Sequence, residues 1–219
     1  MKKMKAAEIV LDFSLYPRNN VDAKNISCIC DALAAGVELP PVIIDKKSKR
    51  AIDGFHRIKG NLKFFGDDVE IYVIEKSYKN DGEMFLDAMH YNATHGARLD
   101  PCDRTHCVII AERLGLSLDA VAGALHMPLD KLGSLRNERT ATFNRLTVPL
   151  KQTVRHMAGK KLTKRQNEAN NRLSGMNASF YANQLIELIE SEMLDLDNER
   201  TMNAMKKLHE LLESLLVAQ

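Results

Sequence analysis

The hydrophobic periodicity of this 219-residue chain changes once, near residue 92, and the change sorts the folds open to it. Before that point, short runs with strand spacing alternate with runs of helical spacing; after it, the spacing is helical. Ala6 to Phe13 reads as a strand, with Ile9, Leu11 and Phe13 on one face. Val21 to Ala35 reads as a helix in which Ile26, Ile29 and Leu33 recur at three and four, stopped by Gly36. Leu39-Pro40-Pro41 forces an extended entry into a strand from Val42 to Asp45. Lys46 to Lys49 is a polar turn, and Arg50 to Asp53 returns to complete a hairpin. Arg57 to Phe65 is predicted helical, Val69 to Ile74 a strand and Gly82 to Ala93 a helix. A mixed sheet with helices packed on it closes such a segment.

The remainder is predicted as helices from Pro101 to Leu114, Leu118 to His126, Leu129 to Arg136, Val148 to Met157, and from a Thr163 cap to Leu173. Two longer amphipathic helices follow, Ser179 to Leu194 and Asn198 to Val217. Met205, Leu208, Leu212 and Leu215 form a packing seam in the second. The fold class is therefore α+β: a mixed-sheet domain over residues 1–96, an all-α domain over 97–175, and a helical hairpin over 176–219 for dimerisation or capping.

Two stretches carry chemistry. Asp53-Gly54-Phe55-His56-Arg57 ends a strand and opens a helix, which leaves free backbone N–H groups and a helix dipole aimed at one spot. Gly54 permits the sharp turn, and His56 and Arg57 can add charge-assisted hydrogen bonds to an anion. A plain strand–helix corner uses the same residues. The second stretch, Leu118 to Leu135, has the spacing of a helix-turn-helix. Val121, Ala122 and Leu125 lie in its first helix, His126 and Met127 at the turn, and Leu132 and Leu135 pack the second helix back. An ordinary helical hairpin is the alternative. In a major groove the second helix would present Asp130, Lys131, Ser134 and Asn137 outward, with Lys131, Ser134 and Asn137 at base edges. Arg136, Arg139, Arg145, Lys160, Lys161, Lys164 and Arg165 would reach phosphates.

Charge supports that division. The net +2 conceals a segment, residues 126–175, with 11 Lys or Arg against 3 Asp or Glu, a net +8. Residues 176–219 carry −5 and residues 1–125 carry −1. A basic segment between neutral and acidic ones marks an anion-binding face or a solvated basic surface. No apolar run approaches a membrane span, and the basic Met1 to Lys5 is followed by no signal-like segment, so a cytoplasmic location is expected. Cys28, Cys30, Cys102 and Cys107 lack zinc spacing and read as buried, reduced thiols.

Asp53-Gly54-Phe55-His56-Arg57, preceded by Pro41-Val42-Ile43-Ile44, resembles the nucleotide-phosphate pocket of the ParB/sulfiredoxin superfamily. Phe55 stands where sulfiredoxins carry the catalytic cysteine, so sulfinic-acid reduction is disfavoured. Asn92-Ala93-Thr94-His95-Gly96, followed by Leu99-Asp100-Pro101 and Asp103, resembles the family's Glu-Asn-x-Gln-Arg run before Leu-Asn-Pro. Val148-Pro149, Val154 and Gly159 to Thr163 are similar to the segment after the helix-turn-helix of ParB and KorB proteins. The resemblance implies a nucleotide pocket of Pro41, Gly54, Phe55, His56, Arg57, Asn92, His95 and Gly96. Asn92 would help hold the phosphates and their Mg²⁺. It further implies a ParB- or KorB-like protein of the phage or mobile-element type, binding double-stranded DNA as a homodimer. A nucleoside triphosphate, CTP first, would act as its switch in partitioning or transcriptional regulation, with weak CTP hydrolysis left open. The alternative is a superfamily enzyme, a nuclease or ATP-dependent kinase, drawing on Asp53, Asp100 and Asp103.

Overall fold

A computed structural model describes residues 2–94, 98–173 and 176–217 of the chain. It separates into two compact units, 1–175 and 176–219. In the first, β1 (Lys2–Lys5), β2 (Val42–Asp45), β3 (Ala51–Asp53) and β4 (Glu70–Lys76) form a sheet of order β1-β4-β2-β3. β2 runs parallel to β4, and the other pairs are antiparallel. All four residues of β2 are buried, as expected of a strand covered on both faces.

α1 (Ala23–Ala34) packs on α2 (Phe55–Phe65), whose Gly60 admits the close approach. A Cβ on Gly60 would lie 2.3 Å from the Ile29 side chain. α3 (Asp81–Thr94) and α4 (Pro101–Arg113) follow. Asp100 and Asp103 cap α4 reciprocally: the Asp103 amide donates to Asp100 Oδ1 at 2.7 Å and the Asp100 amide to Asp103 Oδ2 at 3.4 Å. α4 buries Cys102, Thr105, Cys107, Val108, Ile109, Ile110 and Ala111, which cover nearly its whole circumference and make it the central helix. α5 (Leu118–Leu125) starts at the Ser117 cap and ends at His126, which is left-handed at φ 50°. α6 (Leu129–Glu138) follows Pro128.

One core joins the sheet to these helices. Ile43 and Ile52 from the strands meet Phe85 and Met89 of α3, Val108 and Ile110 of α4, Val121 and Leu125 of α5, and Leu132 of α6. The other sheet face, with Met4, Ile44 and Val73, packs against Phe55 and Ile58 of α2. The boundary read near residue 97 falls inside this unit.

Of the four cysteines read as buried, Cys102 and Cys107 are, while Cys28 is exposed and Cys30 half-buried. Two element readings are corrected, and one strand was not expected. Ala6 to Phe13 is not a strand: it contains 3-10 turns at Ala6–Glu8 and Phe13–Leu15, with only Val10 bridging to Arg50. Asp12 drives the second turn, accepting from the Ser14 amide at 2.9 Å and its hydroxyl at 2.6 Å. β1 was not expected, because three of its four residues are lysines. The expected helix from Val148 gives way to a hairpin, β5 (Thr140–Phe143) and β6 (Leu146–Pro149), before a 3-10 segment at Gln152–Met157. Asn144 and Arg145, at φ 47° and 64°, supply the two positive-φ residues of a tight hairpin turn. The stretch 160–162 adds alongside, the Leu162 amide donating to the Thr142 carbonyl at 2.8 Å.

α7 (Lys164–Arg172) opens with a capping box of Thr163 and Gln166. The buried Asn170 secures it, accepting from the Lys151 amide and donating to the Pro149 carbonyl, both at 2.9 Å. The second unit holds α8 (Ala178–Glu190) and α9 (Glu199–Val217), and among its described residues none is buried. No helix among the described residues is long and apolar enough to cross a membrane.

Candidate functional site

β3 delivers Asp53 to a turn that only Gly54 fits. Gly54 has φ +102°, and a Cβ there would lie 2.6 Å from Val42 Cγ1. The first helical bond of α2 runs from the Ile58 amide to the Gly54 carbonyl, so the Phe55, His56 and Arg57 amides precede any intrahelical acceptor. Beside this helix end lies a cleft of about 580 Å³. It brings together Pro41, Gly54, Phe55, His56, Arg57 and Asn92. His95 and Gly96, the other two residues of the expected pocket, lie outside the described residues.

Arg57 acts as a clamp. Its Nη1 donates to the Pro40 and Pro41 carbonyls at 2.9 and 2.8 Å, and its Nη2 pairs with Asp53 at 2.5 Å. The guanidinium therefore fastens the approach to β2 onto the start of α2. His56 Nε2 accepts from the Asp22 amide at 3.1 Å, and burial, aided by Arg18, holds its pKa below the usual imidazole value. His56 thus favours the neutral state, as an acceptor at this nitrogen. Phe55 is buried and stacks on Tyr16, with centroids 4.3 Å apart and planes 23° apart, giving the cleft an apolar wall.

Sequence reasoning missed Arg18. Its Nε donates to Asn92 Oδ1 at 3.2 Å, and its Nη1 lies 3.7 Å from Asp103 Oδ2. The Arg18 and Asp103 side chains are only 11% and 12% exposed. Burial raises the Asp103 pKa, opposed by the Asn19 amide, which donates to its Oδ1 at 2.9 Å. Arg18 sits in an aperiodic stretch, 74 residues from Asn92 and 85 from Asp103, so only tertiary proximity reveals it. Asn92 Nδ2 donates to the Ala88 carbonyl at 2.9 Å, which aims its oxygen at Arg18.

The basic face divides into exposed and braced groups. Lys131, Ser134 and Asn137 of α6 are exposed, while Leu132 is fully buried beneath them. Ser134 Oγ donates back to the Asp130 carbonyl at 3.2 Å. Arg145 at the hairpin tip, Lys160, Lys161, Lys164 and Arg165 are also exposed. Arg136 instead grips Glu112 at 2.8 and 3.0 Å and Thr140 at 3.0 Å. Arg139 donates to Gln152 at 2.7 Å and is half-buried, with its pKa lowered by burial and by Arg155. One further contact links the two regions: His90 Nδ1 of α3 lies 3.2 Å from His126 Nε2 in the turn between α5 and α6.

No family model matches the chain. Over 143 residues it is 27% identical to a "Streptomycin biosynthesis operon possible regulatory protein" of Streptomyces griseus, a match covering 64% of this chain. The chain spans 40% of the length of that curated relative. Among solved structures it is similar to the C-terminally truncated chromosome-partitioning protein ParB of Caulobacter crescentus complexed to the centromeric parS site. That likeness has 8% identity and a TM-score of 0.46, over 63% of this chain and 71% of the other. A Pnob8-like ParB-N domain is similar at 15% identity and a TM-score of 0.42, over 68% and 56%. The same Caulobacter protein complexed with CTP-gamma-S is similar at 8% identity and a TM-score of 0.37, over 62% and 76%.

Proposed function

We propose that this chain is a ParB-like DNA-binding protein whose cleft takes a nucleoside triphosphate, CTP first, and whose DNA binding responds to that occupancy. The observation that carries the reading is the convergence of Gly54 to Arg57 and Asn92, 35 residues further along, on one cleft beside a helix N-terminus. Such an end favours phosphate through its free amides and its dipole. Residues 1–96 form the nucleotide-binding part, residues 97–175 the DNA-binding part, and α5 and α6 a helix-turn-helix. The α8–α9 hairpin pairs two copies through its apolar stripe, since none of its described residues is fully buried.

The residues lining the cleft fit a phosphate chain with its cation. Amides of α2 meet the phosphates, Arg18 supplies charge, and the Asn92 amide oxygen suits a Mg²⁺ shell once Arg18 turns to the anion. Arg57 holds the cleft's shape and His56 keeps its entrance uncharged. On the DNA side, Lys131, Ser134 and Asn137 reach base edges, and Arg145, Lys160, Lys161, Lys164 and Arg165 reach phosphates. The name of the Streptomyces griseus relative, a possible regulatory protein, favours a regulatory setting over partitioning.

The enzyme alternative has less support. Asp53 is paired with Arg57, Asp100 caps α4, and Asp103 shares that cap and faces Arg18. A nuclease or kinase would need these acids free for a metal or a nucleophile.

The test is a thermal-shift series with ATP, CTP, GTP and UTP, each with Mg²⁺, with and without mixed-sequence DNA. A triphosphate-dependent rise that changes when DNA is added is expected. No shift with any triphosphate at millimolar concentration would remove the nucleotide half of the reading, and no shift on adding DNA, with or without triphosphate, would remove the other.

A further inference from the structure

We infer that Tyr16 is a ligand-contacting residue of the cleft, whose hydroxyl donates a hydrogen bond to a phosphate oxygen of the bound nucleotide. This rests on the nucleotide-binding reading above and adds a contact that no sequence feature announced. Tyr16 is 3% exposed. Among the described residues, its hydroxyl is the buried side-chain polar atom with no hydrogen-bond partner in the protein. A buried phenol normally finds a partner, and leaving it unpaired weakens the folded state. Phenylalanine would pack the same ring without that cost.

The ring's position says where the missing partner belongs. It stacks on Phe55, the first residue of α2, and Phe13 meets the two rings edge-on at 5.9 and 5.7 Å. The phenol is thus fixed to the helix end that offers amides, and Tyr16 lines the cleft together with Arg18, His56 and Asn92. Burial holds the phenol's pKa well above its ordinary value, against the opposing charge of Arg18. The hydroxyl is therefore a donor throughout the neutral range, which suits a phosphate oxygen that only accepts.

The carboxylates around it are engaged elsewhere. Asp53 pairs with Arg57, Asp103 faces Arg18, and Asp22 accepts from the Lys24 amide at 2.9 Å. An anion that draws the Arg18 guanidinium from Asn92 toward itself brings its own oxygens to the Tyr16 hydroxyl. Tyr16 then acts as a specificity device, indifferent to nucleosides and sensitive to phosphate.

The test uses the full-length chain and Tyr16→Phe. Unliganded melting temperatures are compared, and titration calorimetry with Mg²⁺ gives affinities for CTP, CMP and cytidine, with ATP, GTP and UTP run in parallel. The variant should melt higher than wild type without ligand, because an unpaired buried hydroxyl has been removed. It should bind the triphosphate that wild type prefers about tenfold more weakly, with a smaller loss for the monophosphate and none for the nucleoside. A lower unliganded melting temperature means the hydroxyl already has a partner in the free protein, and overturns the inference. Equal triphosphate affinity, or an equal loss with cytidine, overturns it too. Wild type binding no triphosphate at all would instead be the failure of the nucleotide reading, and would take this contact with it.

Discussion

At the scale of single residues, Arg57 shows how a residue can be recognised in sequence while its work stays hidden. The Gly54 to Arg57 turn was legible because glycine at a strand–helix junction has a local meaning. The duty of Arg57 was not, because its acceptors, the Pro40 and Pro41 carbonyls, lie 17 and 16 residues away. Arg57→Ala is expected to abolish nucleotide binding in the thermal-shift assay while DNA affinity is retained. It should also cost about 2–4 kcal/mol of stability in urea denaturation, since Asp53 and two carbonyls lose their donor. Arg57→Lys should rescue neither property fully, because one ammonium cannot reproduce a planar fork serving three acceptors. Full nucleotide affinity in either variant would show that the clamp does not shape the cleft.

At the scale of elements, helix caps and apolar spacing were readable, and β pairing beyond local reach was not. Ser117 and Thr163 stand as helix caps because a cap is a local hydrogen bond. β1 is invisible in Lys2 to Lys5, where Met4 alone is buried and the order comes from pairing with β4. The β5–β6 hairpin had a signal, a run of Thr140, Thr142, Phe143, Thr147 and Val148 around Asn144. Pro149 had instead suggested the start of a helix. The hairpin matters because it carries Arg145 at its tip, and because Arg136 bonds to Thr140 at its base. The cations of this region should therefore separate in experiment. Lys161→Ala or Lys164→Ala should weaken binding to all DNA sequences alike and reduce the salt slope by about one unit per contact. Arg136→Ala should instead lower the melting temperature and leave the slope of log affinity against log salt unchanged. A reduced slope with unaltered stability in Arg136→Ala would mean that it leaves Glu112 to reach a phosphate.

At the scale of the whole molecule, α4 is the element through which sheet, cleft and basic face share one core, so a charge forced into it is felt throughout. His106 lies on that helix. Burial, with Arg113 adding, pushes its imidazole pKa down to about 4, against the opposing hydrogen bond to the Tyr16 backbone. His56 is lowered by the same cause. Both have folded pKa values below the unfolded value, so the unfolded chain takes up more protons as the solution is acidified. Their contribution to stability is complete above an unfolded imidazole pKa of about 6.5 and is lost as pH falls toward 4. Asp12 and Asp45, whose carboxylates are held below the usual range by hydrogen bonds that outweigh burial, add to the loss only near pH 4. Asp103 runs the other way, because burial favours its protonated form. Between pH 6.5 and 5 the two imidazoles therefore dominate. Urea midpoints measured at pH 7, 6, 5 and 4.5 should fall steadily, and His106→Gln should flatten much of that fall. A wild-type midpoint constant from pH 7 to 5 would mean that neither imidazole is held neutral by the fold. A steep fall retained in His106→Gln would assign the acid sensitivity to His56 and to the cleft itself, where bound triphosphate should then relieve it.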